Sequence, residues 1–268
     1  MDNEKALEIA IAAAMQAGRY LMDHYKEPLA SEMKESVRDL ATPMDRGAES
    51  VALSVIRAQG EAAAIVCEEG GAQGDAQAAG CWVVDALDGT VNYLHQIPFF
   101  AVSIAYQWQG RTQVGVVYAP LSDDIYYAAD GVGAFKNQRR IQTPDRAPHE
   151  SLFSASFSGK NHEPQRRAQE FELFARVNDA SRGCLRTGSA SLNLAYLAEG
   201  RINGCWGKYN KLWDLCAGLL IAQVAGAKVW SAQSPSAPDL VSYVAAPQQN
   251  HDWLLSLAQP VLMSRRSA

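Results

Sequence analysis

The sequence lacks the features that mark membrane, secreted and nucleic-acid-binding proteins. No apolar run in its 268 residues approaches the roughly 20 residues that a membrane-spanning helix needs. Its first residues are polar, which is not typical of a secretory signal peptide. Neither sign of charge dominates, and the formal net charge is only -5. A mildly acidic chain gives no reason to expect binding to nucleic acid or to a membrane surface.

Cysteine is also scarce. The five cysteines form no C-x-x-C pair, their number is odd, and their neighbours are mostly apolar. This pattern favours buried free thiols in a reducing compartment over a disulfide framework. We therefore expect a cytoplasmic protein.

Three motifs of covalent or nucleotide chemistry are absent as well. The sequence contains no G-x-x-x-x-G-K-[ST] phosphate loop and no G-x-S-x-G nucleophile elbow. Cys184 lies near Arg182 and Arg186 but without the glycine-rich loop that a cysteine-dependent phosphatase would need to bind phosphate. The sequence therefore gives no candidate for a nucleophilic side chain.

The first half of the chain predicts helices followed by a sheet. Apolar residues at helical spacing predict helices over residues 5–25 and 46–57. Short segments rich in Val, Ile and Tyr then alternate with turn residues, which is typical of antiparallel strands. The predicted strands are residues 62–69, 81–87, 101–108, 112–119 and 124–129.

The second half alternates between strands and helices. Strands are predicted at residues 152–157, 183–186, 201–206 and 243–246. Helices are predicted at residues 163–177, 189–198, 213–224 and 251–262. Such alternation indicates crossover units. We predict an α+β half over residues 1–148 and an α/β half over residues 149–268, with no flexible linker between them.

The most informative segment places two aspartates after an apolar strand. Asp85 and Asp88 are three residues apart, and Gly89 and Thr90 follow at once. Carboxylate and carbonyl oxygens, including that of Leu87, are ligands that Mg²⁺ prefers. Gly89 lets the backbone approach a ligand, and a helix beginning at Thr90 would point its N–H groups at a phosphate. The alternative interpretation is an ordinary surface turn of the D-G type.

Other acidic residues occupy similar positions. Glu68 ends a predicted strand, Asp45 precedes a helix, and Asp214 begins one. Each has a plain structural alternative, as a loop edge for the glutamate and as a helix N-cap for the aspartates. Lys34 is either a counter-charge to this acidic group or a solvated surface lysine.

Taken together, these segments resemble the inositol monophosphatase family, whose superfamily includes fructose-1,6-bisphosphatase and bisphosphate nucleotidases. Residues 85–104 read D-x-x-D-G-T-x-N-Y-x-H-x-x-P-F-x-A-V-S-I, which is similar to its first signature. W-D-x-x-A-G at 213–218 resembles the second signature. G-x-G-A-F-x-N at 131–137 and R-x-G-S-A-S-L-N at 186–193 resemble segments between them. The resemblance covers nearly the whole chain in order.

The resemblance implies a layered α/β/α/β/α sandwich and a Mg²⁺-dependent phosphomonoesterase, inhibited by lithium in many members. It implies two Mg²⁺ ions, with Glu68 also supporting a weaker third, and a homodimer. The implied metal ligands are Glu68, Asp85, the Leu87 carbonyl, Asp88 and Asp214. The implied catalytic residues are Glu68, Asp45 and Thr90. The implied substrate or phosphate contacts are Asp88, Gly89, Thr90, Ser189, Ala190, Gly207 and Asp214.

The chain departs from the family pattern at several positions. Ala86 stands where proline is common, and Cys67 where glycine is common. Gly207 stands where inositol-specific members usually have a glutamate that contacts substrate hydroxyls. We therefore expect weak activity on inositol 1-phosphate. The nearby Lys208 and Lys211 either contact a second anionic group or are solvated.

Three functional hypotheses follow. The first is hydrolysis of inositol monophosphate or a similar small polyol or sugar phosphate by metal-activated water. The second is the same chemistry on a nucleotide 3′-phosphate, a sugar bisphosphate or histidinol phosphate. The third is a non-enzymatic regulatory partner. All the implied metal ligands are present, which favours an enzyme with a small-molecule phosphomonoester as substrate.

Overall fold

The computed structural model describes residues 1–27, 31–36, 39–59, 63–157, 164–235 and 237–263. The helices in this part of the chain are α1 (Asn3–Asp23), α2 (Pro43–Ala58), α3 (Thr90–Leu94), α4 (Pro164–Asp179), α5 (Ala190–Glu199), α6 (Leu212–Val224) and α7 (Gln248–Leu262). The strands are β1 (Glu32–Ser36), β2 (Asp39–Ala41), β3 (Ala64–Cys67), β4 (Gly71–Gln73), β5 (Gly80–Asp88), β6 (Ala101–Trp108), β7 (Arg111–Ala119), β8 (Asp124–Ala129), β9 (Gly133–Lys136), β10 (Arg139–Arg140), β11 (Phe153–Ser156), β12 (Cys184–Leu185), β13 (Gly204–Lys211), β14 (Lys228–Ser234) and β15 (Ala237–Ala246).

Two large sheets form the framework. Eight strands form the first sheet, in the order β10-β9-β8-β7-β6-β5-β3-β4, and five form the second, in the order β12-β11-β13-β15-β14. Strands β1 and β2 pair in a separate hairpin. Helices α1 and α2 cover one face of the first sheet, α5 and α6 lie between the sheets, and α4 and α7 cover the outer face of the second. The predicted α/β/α/β/α layering is confirmed.

Small residues let the outer helix α1 pack closely. Its buried face is mostly alanine, at positions that recur every three or four residues. The helix begins where Asp2 accepts a hydrogen bond of 2.7 Å from the Lys5 backbone N–H. A Cβ at Gly18 would lie 2.4 Å from the Tyr118 ring, so the helix backbone rests directly against β7.

Helix α6 is buried in the middle layer. A Cβ at Gly115 of β7 would lie 2.7 Å from the Ala217 carbonyl oxygen and 2.9 Å from its Cα. On its other side, a Cβ at Gly218 would lie 2.7 Å from the Leu194 Cβ of α5. The two glycines thus let α6 pack directly against β7 on one side and against α5 on the other.

Most predicted elements are confirmed within about three residues, except in pairing and in some edge strands. Strand β13 ends at Lys211 rather than at 206, and β15 begins at Ala237 rather than at 243. Strand β3 runs parallel to β5, so the first sheet is mixed rather than antiparallel. In the second sheet, β15 pairs antiparallel with both β13 and β14. The second half of the chain therefore does not consist only of crossover units. Strand β14 escaped prediction because polar residues dominate it. The start of the strand predicted at 62–69 and part of the helix predicted at 163–177 lie outside the described residues. The division at residue 148 stays a prediction.

In the described part of the chain, no helix combines the length and the apolar character that crossing a membrane requires.

We predict that Gly115→Ala destabilises the protein by about 1–3 kcal/mol, because the added methyl group would push α6 away from β7. Urea unfolding followed by circular dichroism measures the change. The control is Val132→Ile, which enlarges an exposed side chain by one carbon and is expected to change stability by less than about 0.5 kcal/mol. Equal stability of the two variants would contradict the close contact.

Candidate metal centre

A bulge in β5 brings its two aspartates to one face of the sheet. Strand residues three apart normally point to opposite faces. Asp85 pairs with Ser103 and Asp88 with Ala101, so β5 contains one residue more than β6 over this stretch. Ala86 and Leu87 both pack into the core beneath α1 and α2. Asp85 and Asp88 therefore share the opposite face, towards α5 and α6.

Two neighbouring elements bring further carboxylates to Asp85. Strand β3 runs parallel to β5, and Glu68 follows its last residue with a backbone N–H to the Val84 carbonyl. The Ser103 hydroxyl, opposite Asp85, donates to the Trp213 carbonyl at 3.0 Å and fixes the start of α6. Carboxylate oxygens of Glu68, Asp85 and Asp214 consequently lie within 4.8 Å of one another.

The environment makes this cluster costly in its ionised form. Burial raises the pKa of Asp85 and Asp214 well above the usual range, and the neighbouring carboxylates raise it further. Burial also raises the pKa of Glu68, to about 7, although Lys34 opposes the rise. The Lys34 ammonium lies 2.9 Å from Glu68 and also pairs with Glu69, so its predicted role as a counter-charge is confirmed.

A second acidic unit lies beside the cluster. The Thr90 hydroxyl is 2.7 Å from Asp45 Oδ1 and 3.2 Å from the Leu87 carbonyl oxygen. Asp45 Oδ2 accepts from both the backbone N–H and the hydroxyl of Thr42, which caps α2. Burial raises the pKa of Asp45, and these hydrogen bonds oppose the rise. Of the two residues that could cap α2, Thr42 is the N-cap, and Asp45 lies at the third helical position, where it completes the capping box and also accepts from Thr90.

Gly89 makes the turn that delivers Thr90. Its φ of 102° lies in the left-handed region, and a Cβ there would approach the Phe99 carbonyl oxygen to 3.1 Å. The helix predicted to begin at Thr90 is present as the short α3. The Leu87 backbone N–H donates to Asp85 Oδ1 at 2.9 Å, which orients that carboxylate.

Asp88 is held by the start of α5. Its Oδ2 accepts from the Ser189 hydroxyl at 2.7 Å, the Ser191 N–H at 2.7 Å and the Ser191 hydroxyl at 2.6 Å. Burial raises the pKa of Asp88, and these bonds oppose the rise. Ser189 also caps α5 by accepting from the Leu192 N–H. Ser189 and Ala190, predicted as substrate contacts, thus lie beside Asp88, and the Ser189 hydroxyl already donates to it.

Sequence reasoning missed Glu49 of α2. This buried carboxylate accepts from the backbone N–H groups of Glu69 and Gly70, at 2.9 and 2.8 Å, and so fixes the turn that carries Glu68. The signal was present: Asp45 and Glu49 are acidic residues one helical turn apart within an otherwise apolar face.

Gly207 lies on β13 of the second sheet, beside an irregular pairing with β15. A Cβ at Gly207 would lie 2.1 Å from Asn210 Oδ1 and 2.8 Å from the Tyr243 ring. Asn210 therefore fills the place that a larger residue at 207 would need. Tyr243 is fully buried, and burial raises the pKa of its hydroxyl.

The two neighbouring lysines have other partners. Lys208 is buried and donates to the Val261 carbonyl at the end of α7, at 2.6 Å. Lys211 pairs with Asp239 at 2.7 Å. The alternative that Lys208 is solvated is wrong, because its side chain is buried. Contact of either lysine with a second anionic group stays a prediction.

The donor set suits Mg²⁺. Ligands about 2.1 Å from an octahedral Mg²⁺ lie about 3–4 Å apart. The carboxylate oxygens of the three residues lie within 4.8 Å of one another, so they need to move only slightly closer together to share an ion. All the donors are oxygens, and the like charges that repel one another would be neutralised by a divalent cation.

A family model described as "Inositol monophosphatase family" matches residues 2–262. The chain belongs to the inositol monophosphatase family. Membership places it among metal-dependent phosphatases, and the acidic cluster is the feature of the chain that fits this class.

Curated members of the inositol monophosphatase family carry two kinds of name. The inositol-1-monophosphatase of Mesorhizobium japonicum is 34% identical over 232 residues, which cover 84% of this chain and 85% of that protein. The Nus factor SuhB of Pasteurella multocida is 36% identical over 229 residues, which cover 83% and 84%. Both kinds of relative are similar to this chain over most of their length.

Solved structures of family members show the same fold. The extragenic suppressor protein suhB of Bartonella henselae superposes with a TM-score of 0.84 at 29% identity, covering 97% of this chain and 100% of that one. The inositol monophosphatase of Anabaena (Nostoc) sp. PCC 7120 superposes with a TM-score of 0.81 at 30% identity, covering 96% of each chain.

We predict that Asp214→Asn stabilises the metal-free protein, by roughly 1–3 kcal/mol, because it removes one of three mutually repelling charges. Thermal unfolding in EDTA measures the change. The control is Asp130→Asn, which removes the same charge at an exposed position and is expected to have little effect. A destabilised Asp214→Asn protein in EDTA would show that repulsion does not dominate the site.

Burial of the acidic cluster predicts a pH dependence in EDTA, because it raises the pKa of Glu68. The folded pKa of Glu68 is about 7 against an ordinary value of 4.5, so between these limits the folded chain binds more protons than the unfolded chain. The free energy of unfolding should therefore fall as the pH rises from the ordinary value of 4.5 to about 7, and should level off above that. Urea midpoints across this range measure it. A stability that rises with pH in EDTA would contradict the raised pKa values.

Proposed function

We propose that the protein is a Mg²⁺-dependent phosphomonoesterase that hydrolyses a small polyol or sugar phosphate of the inositol monophosphate type. One observation carries the proposal: three carboxylates from separate elements converge within 4.8 Å, next to a hydroxyl–carboxylate pair, Thr90 and Asp45. Such a centre can hold divalent cations and has a group that can take a proton.

The proposed ligands are Glu68, Asp85, the Leu87 carbonyl, Asp88 and Asp214, for two Mg²⁺ ions with a weaker third at Glu68. When bound, Mg²⁺ lowers the pKa of water and stabilises negative charge on phosphate and on the leaving oxygen. The same proposal includes inhibition by lithium and location in the cytoplasm.

Thr90 and Asp45 handle the proton of the attacking water. The Thr90 hydroxyl has one hydrogen, which it donates to Asp45, so its lone pairs face outward to accept a hydrogen bond from water. As the water attacks phosphorus, its proton passes to Thr90 and the Thr90 proton passes to Asp45. The raised pKa of Asp45 makes it a better proton acceptor than an exposed aspartate.

The turn around Gly89 is suited to a phosphate group. Its left-handed backbone brings the chain close to the carboxylates without a side chain in the way. We assign the backbone N–H groups of Gly89 and Thr90 as phosphate donors.

The alcohol side of the substrate faces the second sheet. Gly207 supplies no carboxylate there, and Asn210 presents a neutral carboxamide over it. Among the described residues, Asn210 Oδ1 is buried over Gly207 without a hydrogen-bond partner. Because Lys208 and Lys211 have other partners, a monophosphate is favoured over a bisphosphate.

The names of the relatives support two candidate functions for the chain. A relative named for inositol 1-phosphate supports the enzyme. Relatives named Nus factor SuhB favour a second candidate, a regulatory role that needs no turnover. The complete set of carboxylates favours the enzyme, because an assembly role alone gives no reason to keep repelling charges together. A homodimer is part of the same proposal.

Phosphate release from a panel of esters tests the function, with Mg²⁺ and with EDTA. The panel is inositol 1-phosphate, glycerol 2-phosphate, histidinol phosphate, a sugar bisphosphate and adenosine 3′,5′-bisphosphate. We expect Mg²⁺-dependent release, with weaker activity on inositol 1-phosphate than on the best monophosphate and little on bisphosphates.

Asp88→Asn should lower turnover by roughly 10²–10³-fold or more with the fold intact, and Asp130→Asn should not. Near-normal turnover of Asp88→Asn would reject the metal assignment. No release from any ester would favour the regulatory role. Equal efficiency on inositol 1-phosphate and on the bisphosphate would reject the specificity argument.

A further inference from the structure

Ser191 lies in the first turn of α5 and contacts no solvent. Its backbone N–H and its hydroxyl both donate to Asp88 Oδ2, at 2.7 and 2.6 Å. The third donor to the same oxygen is Ser189. Ser191 alone thus supplies two of these three hydrogen bonds. Removal of its hydroxyl oxygen would take one of the two away from Asp88 and leave the one from its backbone N–H.

The position of Ser191 is itself fixed from the other side. A Cβ at Gly218 of α6 would lie 3.2 Å from the Ser191 carbonyl oxygen, so α5 and α6 are in direct backbone contact there. Helix α6 also carries Asp214. Ser191, which donates to Asp88, therefore packs against the same helix that carries Asp214. This contact links the positions of the two carboxylates.

A carboxylate with both oxygens free rotates and can present either edge. Three hydrogen bonds on Oδ2, together with the backbone N–H of Ala190 as a further donor to the carboxylate, fix the rotation of Asp88 and so the edge that it presents to a cation. Groups that orient a metal ligand typically affect metal affinity 10–100-fold. We propose that Ser191 is a positioning residue that acts through Asp88 to set the affinity of the centre for Mg²⁺, an inference that rests on the proposed metal site.

The chain provides a matched control for Ser191. Ser154 on β11 is equally buried, and among the described residues its hydroxyl has no hydrogen-bond partner. Ser154→Ala and Ser191→Ala remove the same atom from the same depth. Only the second removes a hydrogen bond to a carboxylate of the site.

Titration calorimetry with Mg²⁺ alone tests the role, together with the rise in melting temperature that Mg²⁺ produces. We expect Ser191→Ala to weaken the Kd for Mg²⁺ about 10-fold or more and to reduce that rise. Ser154→Ala should keep wild-type values of both. Ser191→Cys keeps a weaker donor and should fall between serine and alanine, which a role in helix packing alone does not predict.

The outcomes separate this inference from the proposed function. An unchanged Kd in a folded Ser191→Ala protein, or an equal loss in Ser154→Ala, would overturn the positioning role. If the wild-type chain binds Mg²⁺, Ser191→Ala binds it more weakly and no ester is hydrolysed, the positioning role stands and the proposed function fails. A wild-type chain that binds no Mg²⁺ would overturn both.

Discussion

Glu68, Asp85 and Asp214 hold carboxylate oxygens within 4.8 Å of one another. When they are all ionised, each pair repels by about 3 kcal/mol at an effective dielectric constant of about 20. This repulsion opposes folding, so it must be balanced by packing elsewhere. The middle layer supplies that packing, because α6 carries Asp214 on one end and Leu215, Ala217 and other buried residues along its length. A cation among the same oxygens reverses the sign of the interaction, which is the physical basis for coupling metal binding to stability.

Three backbone features create the cluster, and they come from distant parts of the chain. The parallel pairing of β3 with β5 sets Glu68 beside Asp85, and the bulge in β5 turns Asp88 to the same face. The hydrogen bond from Ser103 to the Trp213 carbonyl positions the start of α6. The pairing and the bulge belong to strands of the first sheet, and the Ser103 hydrogen bond joins β6 to the start of α6. Glu68 itself lies in the turn after β3, whose backbone N–H groups donate to Glu49.

The sequence predicted which residues carry the chemistry better than it predicted how they are held. Asp85 and Asp88 stood out because they follow an apolar run, and Asp214 because it begins a helix. The bulge that brings Asp85 and Asp88 to one face escaped prediction, since it depends on pairing with β6 rather than on local sequence. Likewise Ser191 acts through a tertiary hydrogen bond to Asp88, and a single sequence carries little signal for a partner that lies 103 positions away. Polar strands such as β14 are also hard to predict from sequence, because their formation depends on pairing with neighbouring strands.

The two ends of the proposed substrate are built by different sheets. Under the proposed function, the turn after β3, the end of β5 and the start of α3 would hold the phosphate, whereas Gly207 and Asn210 on the second sheet would contact the alcohol. Helices α5 and α6 connect the sheets, since one holds Asp88 and the other carries Asp214. A change at β13 can therefore alter the choice of alcohol without moving a carboxylate. A change at the α5–α6 contact would instead alter the metal centre for every substrate alike. This separation explains how Gly207 can depart from the pattern of inositol-specific enzymes while the acidic cluster stays complete.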